Sequence, residues 1–161
     1  MAPKCNRDLY TNFLLSESQR TSAVQCSRVT GSMSHDAITR FLQRERCLPH
    51  ELFEENKQHL ILEGCNLSID DCVLDKPYAD PLCNDLVLWH YSGLHGHVVK
   101  GICLVTLFCH DAKDRKFPVN FRIYEPAEEG DDQVTKNDLF QEMLEEVLSW
   151  GVHPTMVTGD A

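Results

Sequence analysis

What the sequence lacks narrows the field first. No apolar run approaches the roughly 18–20 residues that a membrane span needs. The N-terminus, MAPKCNRDLYTNFLL, puts Asn, Arg and Asp where a signal peptide has its apolar stretch, so a cytoplasmic chain with no membrane partner is expected. Its 8 cysteines (5, 26, 47, 65, 72, 83, 103, 109) include no CxxC pair, and several lie in apolar runs such as GICLVTLFC. They read as reduced thiols acting as small hydrophobes, which excludes a disulfide scaffold. Glycine and proline are scarce, 8 and 7 of 161 residues, and this rules out a collagen-like or low-complexity chain. Basic residues are outnumbered, 15 against 25 acidic for a net charge of −10, so the chain as a whole is not a basic nucleic-acid binder.

What is present, 42% hydrophobic and 25% charged residues, suits one globular domain with a small helical appendage. The average charge hides an asymmetry. Residues 1–46 carry Lys4, Arg7, Arg20, Arg28, Arg40, Arg44 and Arg46 against Asp8, Glu17, Asp36 and Glu45, and are net basic. The acid is concentrated in EPAEEGDDQ and in the 138–146 segment, so bulk charge does not decide the partner.

The first 63 residues read as helical. Residues 6–15, 21–30 and 34–45 form three short helices, the second stopping at Gly31 and the third opening on Ser34 as N-cap. Ala37, Ile38, Phe41 and Leu42 give the third helix one apolar face. Helix, glycine-containing turn, helix is a helix-turn-helix pattern, in which His35, Thr39, Arg40 and Gln43 are the exposed DNA readers. The same pattern suits a plain helical hairpin that packs and reads nothing. Pro49 then leads into a fourth helix over 50–61.

After Gly64 the texture changes to strands, and residues 64–161 read as a second region. NLSIDDCVL (66–74), LVLWHY (86–91) and the nearly continuous apolar run VVKGICLVTLFC (98–109) are strands. KFPVNFRIYE (116–125) alternates apolar and polar, and its short link to the preceding strand requires antiparallel pairing. A helix follows, capped by Thr135 with Asp138 completing a capping box, and TMVTGDA (155–161) is a strand. A hairpin, a helical crossover and a strand returning parallel to the first give an α/β chain with a mixed sheet, ordered β-β-β-α-β. That is the opening half of an RNase H-like fold.

In such a sheet the strand ending in Asp160 lies beside the strand bearing Asp70. Two carboxylates from neighbouring strands offer hard oxygen ligands, which favour Mg²⁺ or Mn²⁺. Two such ions activate a water or 3′-hydroxyl and stabilise the leaving oxygen of a phosphodiester. Asp71 follows Asp70 directly, but strand alternation sends the two to opposite faces, so one of them alone is a direct ligand. The bland alternative is a solvated acidic pair.

SHDAITRFL, SIDDCVLDKPY, LWHYSG, VVKGI and VTGDA together resemble the successive blocks of a DDE-type insertion-sequence transposase, from about Leu9 onward. The resemblance implies a helical region that binds the element's DNA ends. It also implies an RNase H-like domain whose Asp-Asp-Glu triad binds two Mg²⁺ for strand cleavage and transfer. The first Asp corresponds to Asp70 and the second to Asp160; Cys72 stands where the family usually has Thr. The family's Glu has no counterpart in 1–161, so the expected chain is a transposase fragment without strand-transfer activity of its own. The expected partners are insertion-sequence ends, a further copy of itself or an intact transposase, with nucleoid association when DNA is bound. A DNA-binding module that interferes with an intact transposase, and a relic without function, are the rival readings.

Other residues carry weaker signals. Lys76, Lys100 and Lys136 are candidates for phosphate contact or plain surface. His90, His95 and His97 with Cys83 match no standard zinc spacing and read as a solvated loop around SGLHGH.

Overall fold

The computed structural model describes residues 5–18, 21–80, 85–126 and 134–159. The chain divides into two compact units, residues 1–47 and 48–161.

The first unit holds α1 (Arg7–Ser16), α2 (Ala23–Thr30) and α3 (His35–Arg44). Each starts on a side chain that satisfies an orphan backbone N–H: Asn6 accepts from Leu9 N, Ser22 from Gln25 N and Ser34 from Ala37 N. Gly31 ends α2 at φ 61°, a left-handed conformation that a residue with a Cβ adopts only at a cost. Phe13, Cys26, Met33, Ile38 and Phe41 form the buried centre, with Tyr10 packed between Phe13 and Phe41 at ring separations of 6.0 and 5.9 Å. The helices and the turn expected over 21–45 are therefore present, with boundaries shifted by one or two residues.

The second unit begins with α4 (Pro49–Lys57), opened by a proline at its first turn. This helix was grouped with the N-terminal helices by sequence, yet its Phe53 sits in the core of the sheet and its Asn56 amide donates to Pro118 O at 2.8 Å. It also stops earlier than 61. The Ile61 N–H donates to the Asp111 carboxylate at 3.1 Å, a bond that a continuing helix would forbid. The rest of the unit is β1 (Asn66–Asp75), β2 (Leu88–Ser92), β3 (His97–His110), β4 (Lys116–Tyr124), α5 (Lys136–Ser149) and β5 (Met156–Gly159).

The five strands form one mixed sheet. β3 runs antiparallel to β1 on one edge, while β4 and the short β2 share its other edge. β5 closes the far side by pairing parallel to β1, Leu67 with Val157 and Ile69 with Gly159. The order along the chain is thus β-β-β-β-α-β: the strand expected over 86–91 is β2, which joins the main sheet through β3, so the order β-β-β-α-β is one strand short. Gly101 stands where β1, β2 and β3 crowd together: it pairs with both Asp75 and Leu88, and a Cβ there would lie 2.5 Å from Leu74 O.

Both helices of this unit contribute to one core. Phe53 of α4 and Met143 and Val147 of α5 are buried with Leu67, Val105, Leu107 and Val119 of the strands. Strand alternation puts Leu67, Ile69, Asp71 and Val73 on that covered face of β1, and Ser68, Asp70 and Cys72 on the other. β3 obeys the same rule, with every second residue from Val99 to Cys109 buried.

α5 is fixed at both ends. Thr135 accepts from Asp138 N at 3.2 Å while Asp138 accepts from Thr135 N at 2.7 Å, the reciprocal capping box that the sequence indicates. Towards its C-terminus, Glu146 pairs with Arg122 of β4 at 2.6 Å and accepts from the buried Asn120 amide at 2.9 Å. The β3–β4 turn is organised by Asp111, whose fully buried side chain takes hydrogen bonds from Lys113 N, Arg115 N and the Arg115 guanidinium. These bonds hold its carboxyl far below the usual carboxylate range, the Arg115 guanidinium first among them.

Candidate functional site

An open cleft of about 670 Å³ lies where β1, β2 and the start of α5 meet, lined among others by Asp70, Asp71, His90, Tyr124 and Lys136. Its centre is an ion pair across 65 residues of sequence. Lys136, the first residue of α5, donates from Nζ to Asp71 Oδ2 at 2.7 Å, with both side chains 41% exposed. The same ammonium stands 5.4 Å from the centre of the Tyr124 ring. Cys103 Sγ–H also points at Asp71 Oδ2, at 3.7 Å. Burial is the largest single influence and works against the Lys136 charge, but the hydrogen bond and charge attraction of Asp71, with Cys103 and Tyr124 adding to them, together outweigh it and the lysine pKa is raised. Burial, little offset by Lys136, pushes the Cys103 thiol up to about 11 and so keeps it protonated.

His90 is the second unusual group. It is 7% exposed, on the same face of the sheet as Asp71, with its ring 6.2 Å from Tyr124. Among the described residues its Nε2 has no hydrogen-bond partner. Burial and then the nearby Lys136 ammonium depress its pKa, so the imidazole stays neutral near physiological pH.

The residues singled out from sequence fall as follows. Asp70 lies on β1 and is exposed, its register partner Thr106, on the face opposite the covered one. Asp71 is the member of the pair that alternation turns towards α5 and its lysine. Asp160 lies outside the described residues; the preceding Gly159 pairs with Ile69. His35, Thr39, Arg40 and Gln43 are all exposed on α3, with His35 beside Asp36 at 3.1 Å and the Thr39 hydroxyl bonded back to His35 O. Lys100 is engaged by Ala79 O at 2.5 Å. Among the described residues no three His, Cys, Asp or Glu side chains converge as a metal-binding group.

Two features escaped the sequence reading. His90 is a buried strand residue, not part of a solvated loop; His95 lies in the exposed turn, bonded to Ser92 at 3.0 Å, and the exposed His97 opens β3. The signal was its place between Trp89 and Tyr91, both exposed, in an alternating strand. Lys136 was weighed as an isolated lysine because no local pattern links it to position 71.

Among the described residues no helix is long and apolar enough to cross a membrane. Compared with known proteins, the chain matches no family model, no curated protein and no solved structure.

Proposed function

We propose that this chain is part of a DDE-type insertion-sequence transposase, with a DNA-binding helical unit followed by an RNase H-like unit that acts on phosphodiesters. The observation that carries the reading is the sheet. β1 is antiparallel to β3, β3 is antiparallel to β4, and β5 returns parallel to β1 after α5. Ile69 and Gly159 are paired, and in sequence they are followed by Asp70–Asp71 and by Asp160. Acids at these positions suit divalent-cation chemistry, because Mg²⁺ is commonly held by one or two carboxylates while keeping several waters and binding substrate phosphates.

In this reading Asp70 and Asp160 are the carboxylates that would hold Mg²⁺ or Mn²⁺, since Ile69 and Gly159 are register partners and alternation assigns the residues that follow them to one face. Asp71, on the opposite face of β1, is occupied by the Lys136 ammonium of α5. A divalent ion held by Asp70 and Asp160 would supply Lewis-acid activation of a water or 3′-hydroxyl and charge neutralisation at the leaving oxygen. The chain's own contribution is to hold the Asp70 carboxylate on a strand paired on both sides, by β3 and by β5. The exposed His35, Thr39, Arg40 and Gln43 on α3 present donors and acceptors suited to base edges and phosphates.

The test is selection of bound duplexes from a random DNA library, followed by incubation of the selected duplex with Mn²⁺. Sequence-selective, salt-sensitive binding that Arg40→Ala weakens, with nicking that Asp70→Asn abolishes, is the expected result. Binding without nicking favours a DNA-binding module alone. No selective binding overturns both readings.

A further inference from the structure

The face of β1 opposite α5 carries a second polar group besides Asp70. Ser68 shares that face two residues before Asp70, about 6.6 Å away along the strand. The Ser68 hydroxyl lies 3.1 Å from His110 Nε2 at the end of β3. His110 is the register partner of Asn66 on one side and of Lys116 on the other. Asn66, His110 and Lys116 therefore stand in a row across three strands, on the face of Ser68 and Asp70. Ser68 and His110 are half-buried, while Asn66 and Lys116 are exposed.

Counting hydrogens leaves this pair with a donor to spare. A neutral imidazole carries one N–H and a serine one O–H. If Ser68 donates to Nε2, the His110 Nδ1–H remains; if the Nε2–H donates to Ser68, the serine O–H remains. In either tautomer one donor is left for an acceptor from outside. The charges beside it favour an anion. In the β3–β4 turn Arg115 neutralises Asp111, whereas Lys113 and Lys116 are exposed. The acid nearest Lys116 is Asp114, 3.7 Å away with a side chain 91% exposed. An exposed pair of that kind is weak, so the Lys116 ammonium is open to a second anion.

We infer that Ser68, His110 and Lys116 form a phosphate-binding row that leads the backbone of a DNA strand across the sheet towards Asp70. The spare donor of the Ser68–His110 pair takes one phosphate oxygen, and Lys116 takes a neighbouring phosphate. Contacts of this kind fix where the strand lies without reading its sequence. No covalent bond changes. The inference rests on Asp70 being the carboxylate that acts on phosphodiesters.

The experiment is binding of a fluorescein-labelled single-stranded oligothymidylate to the whole chain, followed by anisotropy over a salt series with EDTA present. It is run in the native and the Arg40→Ala backgrounds, so that α3 does not mask the result. Lys116→Ala is expected to weaken binding and to lower the slope of log K against log salt by about 0.7, the share of one phosphate contact on a single strand. His110→Phe keeps a ring but no donor, and is expected to weaken binding about two- to ten-fold, the effect of one lost hydrogen bond. Lys57→Ala, in the same unit but paired with Glu54 on α4, is expected to leave affinity and slope unchanged. Native-like binding in either Lys116→Ala or His110→Phe, an equal loss in Lys57→Ala, or no binding by the native chain overturns the row. The reading of Asp70 is judged apart from this, by whether Asp70→Asn abolishes nicking of the selected duplex. Urea unfolding confirms that each variant is folded, and Ser68→Ala, with the same expected loss, takes the place of His110→Phe if that variant is not.

Discussion

Asn120 gives the sharpest test of how α5 is held over the sheet. It is fully buried on β4 and uses its whole amide. Nδ2 donates to Met143 O at 3.2 Å and to Glu146 Oε2 at 2.9 Å. Oδ1 accepts from Phe121 N at 2.8 Å and from the Arg122 guanidinium at 3.1 Å. Two of these four bonds involve charged groups and two are neutral. Net values of about 1 kcal/mol for neutral bonds and about 1.5–3 for charged ones set an upper range. Glu146 keeps Arg122 at 2.6 Å after the amide is lost, which reduces the penalty. Asn120→Ala is then expected to cost about 2–4 kcal/mol, a large part of the roughly 5–15 kcal/mol that stabilises a typical domain. Urea unfolding followed by fluorescence of Trp150, which packs 5.2 Å from Phe53 in the same core, measures it. A double-mutant cycle with Glu146→Ala should show a coupling of about 0.5 kcal/mol or more, since the two residues touch. A loss below about 0.5 kcal/mol for Asn120→Ala, the range of ordinary surface changes, would refute the idea that this amide clamps α5 to the sheet.

Three further outcomes follow from the same packing. Gly101→Ala puts a Cβ 2.5 Å from the Leu74 carbonyl, a backbone atom that cannot step aside cheaply, so a loss of about 1–3 kcal/mol by thermal or urea unfolding is expected. His90 has a depressed pKa in the folded chain, so protons favour the unfolded state: stability present above about pH 6.5 should fall as pH drops below it. Unfolding of His90→Phe compared with the native chain between pH 7.5 and 5.5 checks this, and an equal slope for both would show that His90 does not contribute. Arg40→Ala, on the exposed face of α3, should weaken binding to selected DNA and flatten its salt dependence, with unfolding of the variant unchanged.

Much of the architecture was legible because it is locally encoded. Ser34, Thr135 with Asp138, and Gly31 mark helix ends by hydrogen bonding and backbone conformation that involve only near neighbours. The alternation of KFPVNFRIY and the buried run of β3 likewise betray strands and their faces. What stayed hidden depends on contacts distant in sequence. Nothing near Asn56 or Phe53 tells that α4 belongs on the sheet, because Pro118 and the rest of that core lie far along the chain. The ion pair of Asp71 with Lys136 is of the same kind. That Asp71 and not Asp70 meets α5 could not be read from alternation alone, since which face α5 covers is set by where Leu67 and Ile69 pack.

The most direct measurement is anomalous scattering from Mn²⁺ in a crystal of this chain. A peak about 2.1 Å from a carboxylate oxygen of Asp70, on the face of β1 opposite α5, is the expected result. A peak on Asp71 at the covered face, or no ordered cation near either acid, would contradict the assignment of Asp70 as the carboxylate that works.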